Sequence, residues 1–338
     1  MHDADLLAFQ MGNLILESKA NSTWNKHFSA WKLYNHFCSG HNLSAWPATI
    51  DKSRAFATWA ITERSLKSET VRSYISSLTL NNTLCGGSQN PLTSDLVIKM
   101  ILKGADNRDQ YSAEKFKPKL SVNPYMLKIL GHRISNSDWG DMSKQVCWTA
   151  LVVCFFSSCR MGEIVVNDDY KFDPKLTLTW ENLDFSEPDG ALMHIPFTKT
   201  KGARGEYIDL FCFKESNYCP IKNLLNLRNM LISKNLYSKH NPVFMLESGA
   251  FLTKKKINDL LAVMLSDIFD SSRFKITCHS FRTSIPSLLA GLDGNDCSKN
   301  VKIWGRWVSD SYTLYTKNVR SERKCIFKKI VNVLHNIL

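Results

Sequence analysis

Long apolar runs are missing from this chain of 338 residues. The longest, near Ala150–Phe156, falls far short of the roughly 20 residues that span a bilayer, so no membrane segment is expected. The opening residues, Met1 to Asp5, lack the basic stretch of a secretory leader. CxxC pairs are missing as well, although the chain holds ten cysteines. Several of these (Cys147, Cys154, Cys278) lie in apolar runs and read as reduced core residues of an intracellular protein. There is no Walker loop, no paired-carboxylate metal cluster, no internal repeat and no low-complexity tract. The group His36-x-Cys38-x-x-His41 has no fourth ligand at a sensible spacing and reads as a helix end. Neither a metal nor a cofactor is expected.

What the chain does have is positive charge. Lysine and arginine total 43 against 31 acidic residues, a net charge of +12, with a pI near 9.2. The excess is uneven: 13 basic against 10 acidic residues in 1–117, and 30 against 21 in 118–338. A polyanion, nucleic acid first, is the partner such a chain favours. The length suggests two domains with ample core.

Residues 1–110 read as a helical bundle. Asn21 and Ser22 are candidate caps for a helix carrying Trp24, Phe28, Trp31 and Phe37 that ends at Gly40. Asp51 is a candidate cap for the next. Ser68 opens a third that stops near Cys85–Gly87, and Thr93–Asp95 opens a fourth. The aromatics read as core. Lys52, Arg54, Arg64, Lys67 and Arg72 line either a solvated face or a DNA-facing one. Residues 105–120 are polar and read as a linker region. Beyond it a helix starts at Asn123-Pro124, and 141–158 is a helix apolar on nearly every side. Leu176–Trp180 alternates apolar and polar, and 191–197 and 206–210 read as strands around a basic, glycine-bearing turn. Helices are expected again over 219–235, 254–269, 279–291, 296–304, 309–317 and 321–336. The fold class is therefore mainly α with a small antiparallel β-sheet (α+β).

Four features of the second part suggest chemistry. Arg160 follows the apolar helix, with Glu163 three residues on as an ion-pair partner. Lys199 sits on the basic turn, where a long ammonium reaches a ligand or simply stays solvated. His279 and Arg282, three apart, share one helix face and offer several N–H donors to one oxyanion. Tyr315 follows; a phenol becomes a nucleophile when cationic donors surround its target. Donors and a phenol together suggest attack on a phosphodiester.

At these residues the sequence resembles the tyrosine recombinases, or phage integrase family. Ser157-Ser158-Cys159-Arg160-Met161-Gly162-Glu163 is similar to the family's first arginine box. Thr198-Lys199-Thr200 is similar to its lysine hairpin, and His279-Ser280-Phe281-Arg282 to its second box. Gly305-Arg306-Trp307-x-Ser309-Asp310 with Tyr315 is closest in style to the eukaryotic Crypton- and DIRS-like branch. The resemblance implies a helical core-binding domain over 1–110, a linker over 111–120, and a catalytic domain over 121–338 whose C-terminal helix docks on a neighbouring protomer. It implies a catalytic set of Arg160, Lys199, His279, Arg282, Trp307 and Tyr315, with Glu163 in structural support. Arg306 competes with Trp307 for the sixth place, and Lys201 with Lys199. Lys201, Arg204, Arg306, Arg54 and Arg72 are implied DNA contacts. The implied partner is double-stranded DNA, bound by a homotetramer on synapsed sites and by a monomer or dimer when free. No membrane is involved, and the location is the nucleus if the host is eukaryotic. The implied reaction is metal-free cleavage and rejoining of DNA through a 3′-phosphotyrosine. The relaxing enzymes of type IB share that chemistry, and a non-catalytic DNA-binding protein on the same fold is the alternative from another class. The charge balance makes the first prediction: affinity for duplex DNA falls steeply between low and high salt through counterion release. Salt-independent binding in a filter or anisotropy titration would remove the basis for a polyanionic partner.

Overall fold

The computed structural model describes residues 2–86, 91–111, 119–198, 201–213, 216–270, 274–292, 297–306, 327, 330, 331 and 334. It divides into two compact units, 1–116 and 117–338. Among the described residues, no helix is long and apolar enough to cross a membrane.

The first unit consists of helices: α1 (His2–Glu17), α2 (Asn21–Gly40), α3 (Ile50–Thr62), α4 (Ser68–Leu84) and α5 (Leu96–Tyr111). Tyr34, Phe37, Phe56, Trp59, Val71, Ile75, Leu78, Ile98 and Leu102 form its core. Phe56 meets Tyr34 edge to face with ring centroids 5.3 Å apart, the geometry that aromatic quadrupoles favour. Asn82 clamps the chain before α3 by donating to the Ala48 carbonyl (2.7 Å) and accepting from its N–H (3.1 Å).

Local chemistry departs from the sequence expectations in three places. The cap of α3 is Thr49, whose Oγ1 accepts from Lys52 N, while Asp51 lies inside the first turn. Asn21 and Ser22 lie inside α2, whose cap position is Ala20 with no side-chain bond, whereas Asp95 opens α5 as expected, accepting from the Ile98 N–H at 2.9 Å after a 3₁₀ turn over Leu92–Ser94. Phe28, expected in the core, is 75% exposed. The helix α1 carries no cap signal in the sequence; its Leu6, Leu7, Phe9, Met11, Leu14 and Leu16 are exposed.

In the second unit, Asn123 caps α6 (Pro124–Ser135), with Pro124 at the first helical position, where no N–H is needed. The core is built on α7 (Asp141–Ser157), whose residues from Val146 onward are buried on nearly every side except at Trp148. After α7 come α8 (Met161–Ile164), the antiparallel sheet β1 (Leu183–Asp184), β2 (Gly190–Ile195) and β3 (Glu206–Phe211) in the order β1-β2-β3, and α9 (Pro220–Ser233). Then follow α10 (Lys254–Met264), α11 (Ser284–Leu292) and α12 (Cys297–Gly305). In the hairpin, Gly190 pairs with Phe211 and Ile195 with Glu206. Both α9 and β3 pack on α7.

The alternating stretch 176–180 is not a strand. Thr177 and Thr179 are buried along with Leu178 and Trp180, so the alternation does not separate an inner from an outer face. Thr179 instead donates to Asn182 and begins a 3₁₀ turn, Trp180–Asn182. Residues 119 and 120, expected in the linker, are tied to the second unit: Leu120 N donates to Lys275 O at 3.1 Å.

Of the C-terminal stripe, Phe327, Ile330 and Leu334 are helical and buried in the core of their own unit. The Phe327 ring lies 5.2 Å from Phe211 and stacks on Trp304 at 6.4 Å. An apolar stripe takes the nearest uncovered apolar surface, and here that surface is supplied within the unit. The expected cost of Phe327→Ala is therefore about 3–5 kcal/mol, and that of Ile330→Ala about 2–5 kcal/mol, in the stability of the second unit. Urea titration checks this; melting unchanged by either substitution would mean that the stripe is not part of this core.

Candidate active site

The site forms where α7 ends. Ser158 takes a left-handed conformation (φ 51°) and turns the chain out of the helix. The next residues, Cys159 and Arg160, enter α8, and Glu163 in that turn accepts from the Arg160 backbone N–H at 2.9 Å. The same carboxylate accepts from the Arg160 guanidinium at 2.6 Å. A glutamate at the third position of a helical turn satisfies an otherwise orphaned N–H in this way. Burial pushes the Glu163 carboxyl up, but the Arg306 charge and the bonds from Arg160 outweigh it and leave it below the usual glutamate value.

His279 and Arg282 lie on a 3₁₀ turn, Cys278–Thr283, ahead of α11, where an α-helix over 279–291 was expected. With three residues per turn, positions i and i+3 eclipse, so the two share one edge more closely than on an α-helix. The turn is held from outside: Cys278 N donates to Asn258 Oδ1 of α10 at 2.9 Å, and Ser280 O accepts from Val122 N at 3.3 Å. Arg282 is 5% exposed. Its Nη1 donates to Ser158 O (2.7 Å) and its Nη2 to Gly305 O (3.1 Å). It thus staples the end of α7 to the end of α12, two helix ends whose carbonyls have no helical partner. Burial, then the nearby Arg306 and Arg160 charges, push its pKa down; a guanidinium stays charged regardless.

The His279 ring is exposed, yet its pKa is lowered. Desolvation is the largest cause, followed by the charges of Lys119, Arg282, Arg160 and Lys254. Nothing in the sequence singles out Lys119 or Lys254. Lys119 reaches the site because its strand-like segment bridges to Lys275, and Lys254 because it opens α10 beside Cys278, whose Sγ donates to Lys254 O. Their only signal in the sequence is charge, which forty-one other residues share.

On the basic turn, Gly202 and Gly205 both have positive φ, and a Cβ at Gly205 would run into the Ile195 carbonyl. Lys201 is paired with Glu206 at 3.0 Å, and Arg204 is exposed. Lys199, Trp307 and Tyr315 lie outside the described residues. Arg306 departs from its expected role as a DNA contact. Its side chain is 6% exposed and is bonded to Glu163 (3.1 Å) and Glu206 (2.6 Å). Arg54 and Arg72 stay open to solvent, and each meets a carboxylate distant in sequence. Arg54 forks onto Asp95 (3.1 and 2.7 Å) and holds that carboxyl down to about 2. Arg72 pairs with Glu69 and Asp106. Among the described residues, no three metal-ligating side chains come together.

Arg160, Lys119 and Lys254 therefore form a cationic surface around the His279 imidazole, to which the buried Arg282 adds its charge, with Glu163 behind Arg160. Such an array can hold an oxyanion by charge and by several N–H donors at once. With its pKa lowered, His279 is neutral at pH 7, and one ring nitrogen is free to accept. The sign for stability follows. The unfolded chain binds a proton at about 6.5, the folded one only at lower pH, so this group's contribution to stability is lost as pH falls below about 6.5 toward the folded value. The expected result of an NMR titration is a His279 midpoint below about 6.5 that rises when inorganic phosphate is added. A midpoint at or above the ordinary value without phosphate would contradict the cationic site.

No family model matches the sequence, and no curated protein sequence matches it. Solved structures do match in fold. A lambda integrase (75–356) dimer bound to a COC′ core site aligns over 91% of this chain and 92% of its own, at 11% identity and a TM-score of 0.55. Another lambda integrase dimer bound to such a site aligns over 91% and 75%, at 11% identity and 0.53. The XerH site-specific recombinase, in a post-cleavage complex with a palindromic difH substrate, aligns over 81% and 71%, at 15% identity and 0.50. This chain has the α+β fold of the tyrosine recombinases.

Proposed function

We propose that this chain is a site-specific recombinase or integrase that cleaves and rejoins DNA through a 3′-phosphotyrosine. The observation that carries the reading is the convergence of Arg160, His279 and Arg282, distant in sequence, around one cation-rich site on a recombinase fold. Tyr315 follows in the sequence at the family's spacing, nine residues after Arg306 and eight after Trp307. That the lambda integrase and XerH structures were solved on DNA sites favours duplex DNA as the partner here too.

In this mechanism Arg160, with Trp307, holds the nonbridging oxygens of one phosphate, while the buried Arg282 braces the loops around it and adds its charge to the site. Negative charge grows on those oxygens in the pentacoordinate transition state, so fixed donors stabilise it more than the ground state. The Tyr315 oxygen forms a bond to phosphorus as the bond to the 5′-oxygen breaks. The neutral His279 has an acceptor nitrogen for the phenolic proton, and Lys199 supplies a proton to the departing oxygen. A free 5′-hydroxyl from a partner duplex reverses the step, so the bond energy is retained in the phosphotyrosine. Side chains supply the cations, so cleavage proceeds without a metal. The exposed Lys201 and Arg204 with Lys119 and Lys254 are the proposed contacts to flanking phosphates. Assembly as a tetramer on two synapsed sites and residence where DNA is accessible, the nucleus in a eukaryotic host, complete the proposal.

A duplex nicked near the scissile phosphate traps the covalent intermediate. The wild type is expected to form the adduct in excess EDTA. Tyr315→Phe abolishes it while keeping duplex affinity, because only the attacking oxygen is lost. Tyr312→Phe still forms it, since Tyr312 lies only five residues after Trp307. Tight binding with no adduct from the wild type would instead indicate a non-catalytic DNA-binding protein. An adduct peptide mapped to Tyr312 would shift the register of the C-terminal assignment.

A further inference from the structure

An ion-pair chain that no motif announces runs through the site. It starts at Arg160, whose Nη1 donates to Glu163 Oε1 at 2.6 Å. Glu163 Oε2 accepts from Arg306 Nη2 at 3.1 Å. The other terminal nitrogen of Arg306 donates to Glu206 Oε2 at 2.6 Å. Glu206 Oε1 accepts from Lys201 Nζ at 3.0 Å. Signs alternate along the five members. The ends are partly open, with Arg160 34% and Lys201 45% exposed, while Glu163, Arg306 and Glu206 are 7%, 6% and 16% exposed.

The inner members are thus shut away from any large polyanion, and both Nη groups of Arg306 are committed. What Arg306 joins is informative. Glu163 stands behind the Arg160 loop. Glu206 is the first residue of β3, directly after the turn that carries Lys199 and Lys201. A guanidinium presents donors to two carboxylates in two fixed directions, whereas an ammonium is a compact charge with rotatable donors. Arg306 is itself fixed at its root, by its left-handed backbone (φ 55°) and by the bond from Arg282 to Gly305 O. Among the described residues, no other ion pair joins the turn to the Arg160 loop.

We infer that Arg306 is a positioning residue that ties residues 201–205 of the basic turn to the Arg160 loop, so that the cations of that segment and Arg160 meet one phosphate as a fixed set. The inference rests on the phosphodiester-cleaving reading of the site. Arg306 is then neither a phosphate ligand nor a DNA contact. It acts through Glu163 on one side and Glu206 on the other. In the low-polarity interior each carboxylate is held by cations from two elements, so a shift of the turn is resisted by the Arg160 loop.

The test cuts one arm. Glu206→Gln keeps the shape and removes the charge. Hydrogen exchange at the amides of 201–205 is expected to quicken about tenfold, with α7 unchanged, because the turn opens locally. Duplex affinity is expected to stay within about twofold, since no phosphate contact is lost. The rate of adduct formation on the nicked duplex is expected to fall on the order of 10- to 100-fold, because the groups are misplaced rather than absent. Arg306→Lys should move the turn exchange and the adduct rate in the same direction. If Arg306→Lys does not fold, the less buried Glu206→Gln decides. Wild-type exchange of the turn in Glu206→Gln overturns the inference, and so does a wild-type adduct rate in that variant. The exchange arm needs no catalysis: if the wild type itself makes no adduct, the recombinase reading fails, and turn exchange alone decides whether Arg306 ties the two loops.

Discussion

The Glu163 carboxylate is buried at 7% exposure and touches three donors: the Arg160 backbone N–H, the Arg160 guanidinium and the Arg306 guanidinium. A carboxylate in that position costs several kcal/mol to desolvate, and the surrounding cations must offset it. Removing one partner of such a pair costs about 3–5 kcal/mol, because the other charge stays buried and unmatched. The geometry of the site depends on this one group. It sets the direction of Arg160 and anchors Arg306, and through Arg306 it reaches Glu206 at the start of β3. Arg282 adds the second constraint, holding Ser158 and Gly305 with the two ends of one fork. Between them, the two interactions join the ends of α7 and α12, the 3₁₀ turn and the hairpin.

The array in front of Glu163 is electrostatically costly. Arg160, Arg282, Lys119 and Lys254 all lower the pKa of His279, and Arg160 and Arg306 lower that of Arg282. Mutual repulsion of this kind destabilises the folded chain and is relieved when an anion arrives. A site arranged in advance for negative charge does not have to reorganise as that charge develops. Desolvation first, and this repulsion after it, keep the imidazole neutral, which suits proton acceptance near neutral pH. The exposed cations and the buried ones therefore have different roles. Lys119, Lys254 and Arg204 face outward, whereas Arg306 and Arg282 form the frame.

Much of this was legible in the sequence. Apolar spacing announced α2, α4, α6, α7 and α9, the Asn123 cap marked the start of α6, and alternation with glycine-bearing turn chemistry announced β2 and β3. His279 and Arg282 stood out by their spacing, and the Glu163 pairing with Arg160 by its proximity. Other features were not legible. Leu176–Trp180 alternates like a strand, but burial of both threonines removes the two faces that alternation implies. Phe28 has core spacing and ends exposed, because no helix among the described residues covers its side of α2. Lys119 and Lys254 look like any surface lysine until the folded chain places them beside an imidazole.

The sequence by itself determined the balance of charge, the position of most helices, the hairpin and the pairings within a turn or two. Those follow from interactions between residues a few positions apart. Which cations find distant partners and which become buried was decided only by the tertiary structure. Arg54, Arg72 and Arg306 are alike in the sequence to Arg204. Folding brings carboxylates to the first three from 41, 34 and 100 residues away, buries Arg306 but not Arg54 or Arg72, and leaves Arg204 exposed. A buried charge must find a partner wherever the chain supplies one, and sequence spacing carries no record of that meeting.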